Sequence, residues 1–353
     1  MARWMQKRSL NRDVILLPLL ALATAALFVV PAELVVRKMY PDYEHDRCVR
    51  LVGTQPHGVP NCQSRSKAAE GPWVENRYNE CGYRSPAHCG RKPVGVTRIA
   101  VLGSSTGSGW LVPEQDSLTG RLGRELTSAC GRPVETQNLA VEGLPLKDLA
   151  NSAREALKLN PDALVLVITS YDLQAASTKP ASNRKLARKA IDWFNDAMGN
   201  LALFHMARAA VLSRESEYAS HVVAQHKDRT KLTSDVAGGA AVLAEQMDQI
   251  AKLNPGHKVP IILTFAPDRA EVIDSRLSPD RSTPASLIMK KVAEEKGVYY
   301  TNTLDFTPKQ VPTALMYYVV SYHPNSTGSL YLTHAVEHGI RQAMPPLRAC
   351  RPS

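Results

Sequence analysis

Three short stretches, RIAVLGSSTGSGW (98–110), NLAVEG (138–143) and SYHPNSTG (321–328), hold the residue types that acyl-transfer chemistry requires. That chemistry needs a hydroxyl nucleophile, a base to take its proton, and N–H donors aimed at the oxyanion that develops. Ser105 is the candidate nucleophile, His323 the candidate base, and the backbone N–H groups of Ser105 and Gly143 the candidate oxyanion donors. Each also has a plainer reading. Ser104, Ser105 and Thr106 suit a turn or cap, Gly143 suits a turn, and His323 stands just before Asn325 and Ser326, either of which can cap a helix.

The three stretches fall where the sequence places strand ends. Ile99 to Leu102 reads as a strand buried on both faces, and Gly103, Gly107 and Gly109 allow the chain a sharp exit from it. Beyond it strands and helices alternate: a strand over Arg98–Leu102, an amphipathic helix over Ser117–Ala129, a strand over Val134–Val141, a helix over Leu146–Leu159 and a strand over Ala163–Ile168. After an interruption the alternation resumes, with a helix near Val236–Leu253, a strand at Val259–Phe265, a helix at Pro284–Lys296 and a strand at Val298–Thr303. A last helix begins after His323 and runs toward Met344. Such alternation implies right-handed crossovers and a mainly parallel sheet with helices on both faces. Ligands sit at the carboxyl ends of the strands in such sheets. The Gly103–Gly109 loop lies at such an end.

The remainder of the 353 residues frames this α/β body. Residues 1–13 carry Arg3, Lys7, Arg8 and Arg12, and residues 14–36 are apolar enough to form a transmembrane signal anchor. A secretory signal cut among the small residues Ala21 to Ala26 is the competing reading; it would leave the apolar Leu27–Val30 at a new N-terminus. The basic residues ahead of the span predict a cytoplasmic N-terminus and an exported C-terminal body. Residues 37–96 are rich in proline and hold four of the six cysteines, as a stalk and disulfide-braced lead-in would. All six cysteines follow the span, consistent with export. Cys81 with Cys89 closes the most economical loop, and Cys130 with Cys350 would clip a helix to the tail. The α/β domain spans 97–348, with a charged helical insertion at about 179–230 that either flanks a site or forms a solvated hairpin.

Several functions find no support. The histidines and cysteines form no recognisable metal-ligand spacing, so no metal and no cofactor is expected. Gly103, Gly107 and Gly109 do not match a dinucleotide fingerprint, and a phosphate-binding lysine is missing. The net charge of +10 comes with no nucleic-acid motif and only 6% aromatic residues, so the basic face is read as solvated or drawn to anionic polysaccharide or lipid headgroups.

The order GSSTGSG, NLAVEG and HPNSTGS resembles the SGNH, or GDSL-type, hydrolase superfamily over roughly residues 75–345, the insertion excepted. The segments RYNECGYRSP and KPVGVTRIAVLG are similar to the lead-in of its membrane-anchored bacterial members. The resemblance implies a flavodoxin-like three-layer α/β sandwich, with Ser105 as nucleophile and oxyanion donor, Gly143 as second donor and His323 as general base. Two positions depart from the family. Where it has Gly, any residue, Asn, Asp, this chain has Thr169, Ser170, Tyr171 and Asp172, so the asparagine amide is replaced; Ser170 or Tyr171 would have to serve. Three residues before the histidine, where the family has aspartate, stands Val320. The imidazole must then be oriented by a backbone carbonyl or by a carboxylate from elsewhere, Asp172 or Asp305. The implied function is a serine esterase or O-acyltransferase on acylated carbohydrate or another ester, anchored in a bacterial inner membrane through residues 14–36 with its body periplasmic or extracellular, and with envelope polysaccharide machinery as partner. The alternative is a catalytically degenerate module that binds glycan or scaffolds an envelope assembly.

Overall fold

The computed structural model describes residues 2–39, 46–53, 55–67, 71–177, 201, 203, 229–319 and 321–350; most of the charged insertion and Val320 lie outside them. The longest helix comes first, α1 (Ala2–Met39). Its stretch Ile15–Lys38 has a mean hydropathy of 2.4, and its large apolar side chains face outward. By length and composition it can cross a bilayer.

The domain is built on a five-stranded sheet of β5 (Thr97–Gly103), β6 (Val134–Asn138), β7 (Ala163–Ile168), β8 (Ile261–Phe265) and β9 (Tyr299–Asn302). The strands lie in the order β6-β5-β7-β8-β9, and every pairing is parallel. Because successive strand side chains face opposite sides, β5 and β7 each feed two cores. Ala100, Leu102, Leu164, Leu166 and Ile168 pack under α4 (Leu149–Lys158), α6 (Arg229–Leu253) and α8 (Pro284–Lys296). Ile99, Val101, Ala163, Val165 and Val167 pack under α3 (Leu118–Cys130) and α9 (Ser326–Ala343). The result is the three-layer α/β sandwich that the alternation and the family resemblance imply. Shorter helices are α2 (Ser105–Ser108), α5 (Ser170–Ser177), α7 (Arg269–Leu277) and α10 (Pro345–Arg348).

Local sequence accounts for these elements. Leu118, Leu122 and Leu126 recur at the spacing of one helix face, and Ser117 caps α3 by accepting a hydrogen bond from the Gly120 N–H. Thr283 and Ser286 form a capping box ahead of α8, with Pro284 at the first turn. The lead-in is more structured than its proline content suggests. It folds into two antiparallel hairpins, β1 (Val49–Val52) with β2 (Gln55–Gly58), and β3 (Gln63–Ser66) with β4 (Val74–Arg77).

The lead-in also covers the edge of the sheet. Ser85 Oγ donates to the Thr136 carbonyl at 2.7 Å, and Gln137 Nε2 donates to the His88 carbonyl at 2.8 Å. Edge strand β6 is thereby kept from pairing with another chain. The cysteines pair as Cys48–Cys62, Cys81–Cys89 and Cys130–Cys350. The last two are the pairings that spacing and placement single out.

Arg98, on β5, is fully buried beneath the lead-in. It pairs with Glu135 and donates to the carbonyls of Gly90 at 2.9 Å and Leu159 at 2.7 Å. Removing one partner of such a buried set strands the rest. Arg98→Ala is therefore expected to cost about 3 kcal/mol of stability, read from the urea midpoint; a loss below about 0.5 kcal/mol would show that the cluster is not a structural tie.

Candidate active site

Ser105 opens the short helix α2 immediately after β5, at the carboxyl edge of the sheet. The strand order reverses direction at β5, whose neighbours β6 and β7 are the next two strands in the chain. Such a switch point leaves a crevice for ligands. The exit turns on Gly103, whose φ is +145° and whose Cα faces β7 so closely that a Cβ would lie 2.4 Å from the Val167 carbonyl oxygen. No other residue fits there. Ser104 and Thr106 are buried, whereas Ser105 between them retains accessible surface. That difference in exposure separates the candidate nucleophile from its hydroxylated neighbours.

His323 arrives from the far end of the chain. Asn325 caps α9, accepting from the N–H groups of Thr327 at 2.9 Å and Gly328 at 3.2 Å, and so relieves His323 of that duty. Its backbone is fixed by Tyr318, whose N–H donates to the His323 carbonyl at 2.9 Å, and by a bridge between Tyr317 and Pro324. His323 Nε2 stands 2.7 Å from Ser105 Oγ. Its Nδ1 lies 3.0 Å from the Ser321 carbonyl oxygen, which accepts the Nδ1 proton and leaves Nε2 as the basic nitrogen. With the nucleophile loop at the β5 exit and the histidine ahead of the last helix, on a 2-1-3-4-5 parallel sheet, the architecture is decided. The fold is that of the SGNH hydrolases.

Solved structures of lipases and esterases are similar to the chain at low identity. They include a lipase/acylhydrolase from Enterococcus faecalis (13% identity, 73% of this chain and 98% of that chain covered, TM-score 0.42). An extracellular lipase from Streptomyces rimosus matches at 12% identity over 72% of this chain and 100% of that one, with a TM-score of 0.38. A two-domain esterase active on acetylated mannans, crystallised with mannopentaose, matches at 10% identity over 71% of this chain and 50% of that one, with a TM-score of 0.41. No protein-family model and no curated protein matches the chain.

Gly143 lies beyond β6 at the same sheet end. The ladder continues past the strand, with the Val141 N–H donating to the Gly103 carbonyl at 3.1 Å, so Gly143 and Ser105 each follow a bonded partner by two residues. Gly143 has a φ of +75°, and the space where a side chain would stand is open. Leu139, Val141 and Leu144 around it line a cleft of about 290 Å³ that continues to Gln55, Tyr83 and Asn151.

The three supporting residues considered for SGNH chemistry are engaged elsewhere. Asp172 Oδ2 accepts from the Thr169 N–H at 2.9 Å and the Thr169 hydroxyl at 2.8 Å, and the Ser104 hydroxyl also bonds its carboxylate. Burial raises its pKa against those bonds. Asp172 thus ties the nucleophile loop to the β7 exit and does not orient the imidazole. Ser170 Oγ donates to Glu271 Oε2 at 2.9 Å, so it is turned into a buried acidic cluster. Asp305 sits after β9 among Arg281, His338 and Lys290, and is likewise not the partner of Nδ1. Tyr171, at the position of the family asparagine, is 73% exposed. Val320, at the position of the family aspartate, falls outside the described residues. Among the described residues no group of three His, Cys, Asp or Glu side chains is disposed to hold a metal ion.

Two further residues bear on the candidate site that residue patterns did not single out. Arg84, buried in the lead-in, donates to the carbonyls of Ser108 at 2.8 Å, Gly109 at 2.6 Å and Val112 at 2.7 Å, holding the chain that leaves the nucleophile. The Trp110 ring packs on the His323 ring with centroids 4.5 Å apart. Arg84 stands in the RYNECGYRSP segment, but nothing in that segment says which carbonyls it meets.

Burial lowers the pKa of His323 to about 4, and the Ser321 carbonyl pulls it in the opposite direction. The imidazole is neutral, hence competent as a base, down to about that pH. An unfolded imidazole protonates near 6.5, so between about 6.5 and 4 the unfolded chain binds more protons and stability falls as pH is lowered through that window. Titrating the His323 ring signals by NMR should give a midpoint near 4; a midpoint at 6.5 would show the ring solvated and free.

Proposed function

We propose that this protein is a membrane-anchored, exported serine esterase or O-acyltransferase that works through an acyl-enzyme on Ser105. The observation that carries the reading is the 2.7 Å contact between Ser105 Oγ and His323 Nε2. In the proposed reaction His323 Nε2 takes the Ser105 proton as Oγ attacks an ester carbonyl. The oxyanion rests on the N–H groups of Ser105 and Gly143. Collapse breaks the ester bond and the departing alcohol takes the proton from His323, leaving Ser105 acylated. Water or a sugar hydroxyl then attacks the acyl carbonyl as His323 accepts its proton; the bond to Ser105 Oγ breaks, Oγ takes the proton back from His323, and the acid or the acylated sugar is released.

The substrate we propose is O-acetylated envelope or secreted polysaccharide. Support comes from the cleft beside Gly143, where Gln55, Asn151 and Glu155 offer hydrogen-bonding groups next to the Tyr83 ring. The pairing of amides and carboxylate with an aromatic surface suits a hydroxylated, partly acylated ring. The location rests on α1, long and apolar enough to span a bilayer, and on three disulfides in the body that follows, chemistry that favours an oxidising compartment. We place the N-terminus in the cytoplasm and the body in the periplasm or outside the cell.

A glycan-binding module without catalysis is the second reading. It is favoured by the exposed Tyr171, which stands where an amide donor would complete the oxyanion hole; losing one such donor can cost about 3 to 4 kcal/mol of transition-state stabilisation. A fluorophosphonate probe separates the two. Labelling of the wild-type body and none of Ser105→Ala, with hydrolysis of p-nitrophenyl acetate falling by about 10⁴-fold in the variant, is the result expected of the enzyme. Folded protein that neither labels nor releases acetate would leave the binding module.

A further inference from the structure

We propose that Trp110 is the positioning residue for His323, holding the imidazole on Ser105 by ring packing where a carboxylate partner is lacking. The inference rests on the reading of Ser105 and His323 as a catalytic pair.

Apart from the serine it faces, a neutral imidazole that leans on a backbone carbonyl has one hydrogen bond to orient it, and the ring can tilt about the line that joins the two contacts. A carboxylate would add charge to the same bond; among the described residues Nδ1 meets the Ser321 carbonyl, 3.0 Å away. A second restraint has to come from packing against the ring. Trp110 supplies it, with ring centroids 4.5 Å apart and ring planes at 50°. Among the described residues the direct contacts to the ring nitrogens are the Ser105 hydroxyl and the Ser321 carbonyl, and burial is the main cause of its lowered pKa. The ring is therefore held by shape and by exclusion of water.

The indole is itself held from both sides of the site. Its backbone N–H donates to the Ser105 carbonyl at 3.1 Å, which fixes Trp110 to the nucleophile residue. The next residue, Leu111, is buried against Tyr318, and the Tyr318 hydroxyl donates to the Leu111 carbonyl at 2.8 Å. Tyr318 in turn donates its N–H to the His323 carbonyl at 2.9 Å. The contacts make a closed circuit from Ser105 through Trp110, Leu111, Tyr318 and His323 back to Ser105. Two of its turns are made by non-glycine residues in the left-handed region, Leu111 at φ +57° and Tyr322 at φ +62°. Such conformations persist only where surrounding contacts enforce them, and they gather at functional sites. One bend directly follows Trp110 and the other directly precedes His323, so the strained turns border the two rings that pack together.

The test compares Trp110→Leu, Trp110→Ala and Trp110→Phe in the full-length protein, each checked for a cooperative thermal transition. Two readouts are taken: kcat and KM on p-nitrophenyl acetate, and the NMR titration of His323. For Trp110→Leu, which fills space without a flat ring, kcat should fall about tenfold or more with KM nearly unchanged, as misplacement of a base does. Its His323 midpoint should rise from near 4 toward 6.5. Trp110→Ala should show both effects more strongly, and Trp110→Phe should recover most of the loss. Folded Trp110→Leu with wild-type kcat and an unmoved midpoint would overturn the proposal, whatever Trp110→Ala does. Wild-type protein without esterase activity would defeat the catalytic reading instead; the titration then decides alone whether Trp110 holds the ring, a shift in Trp110→Leu supporting it and no shift overturning it.

Discussion

The site depends on how closely two strands approach at one residue. Gly103 ends β5 against the Val167 carbonyl at a distance that admits no side chain. Because β5 stays in register with β7 up to that point, the chain must leave the sheet abruptly there, and the next accessible side chain is that of Ser105. Asp172 anchors the loop on one side by accepting from Ser104 and Thr169, and Arg84 anchors it on the other by collecting three carbonyls. Ser105 thus occupies a fixed point on a rigid scaffold. Such preorganisation lets a hydroxyl and an imidazole meet without a search.

What differs from a charge-supported triad is the means of holding the base. A carboxylate orients an imidazole and also raises its proton affinity. A carbonyl and an indole orient it while desolvation lowers that affinity, and here desolvation prevails over the Ser321 bond. A base near 4 abstracts a proton from serine less readily than one near 7, but it stays unprotonated over a wider acidic range. Under the proposed mechanism His323 gives up basicity for a wider acidic range in which it is neutral.

Most of the fold was legible because a parallel sheet buried on both faces has to be written in continuous apolar runs. Ala163–Ile168 and the helix Pro284–Lys296 have the limits their sequence suggests. Helix α7 carried its own start signal, Asp268 and Glu271 in a capping box, hidden behind the preceding strand. The hairpins of the lead-in were not legible, since four-residue strands such as Gln55–Gly58 have no periodicity to read. At the site, residue order picked out Ser105, Gly143 and His323 and the structure brings Ser105 and His323 into contact. It could not reveal that Asp172 faces the nucleophile loop or that Trp110 lies on the imidazole, because such contacts join segments up to more than two hundred residues apart and leave no local pattern.

That separation has a consequence for the order of assembly. Ser105 and His323 stand 218 residues apart in the chain, and Cys130 and Cys350 stand 220 apart. Chains emerge and begin to fold from the N-terminus. Ser105 and the first strands therefore emerge long before His323 exists beside them, and the Cys130–Cys350 bond must wait until Cys350 has emerged. A chain stalled ahead of His323 carries Ser105 without its partner, so the contact between the two and the clasp that fastens Cys350 to α3 both wait for the α9 region to arrive.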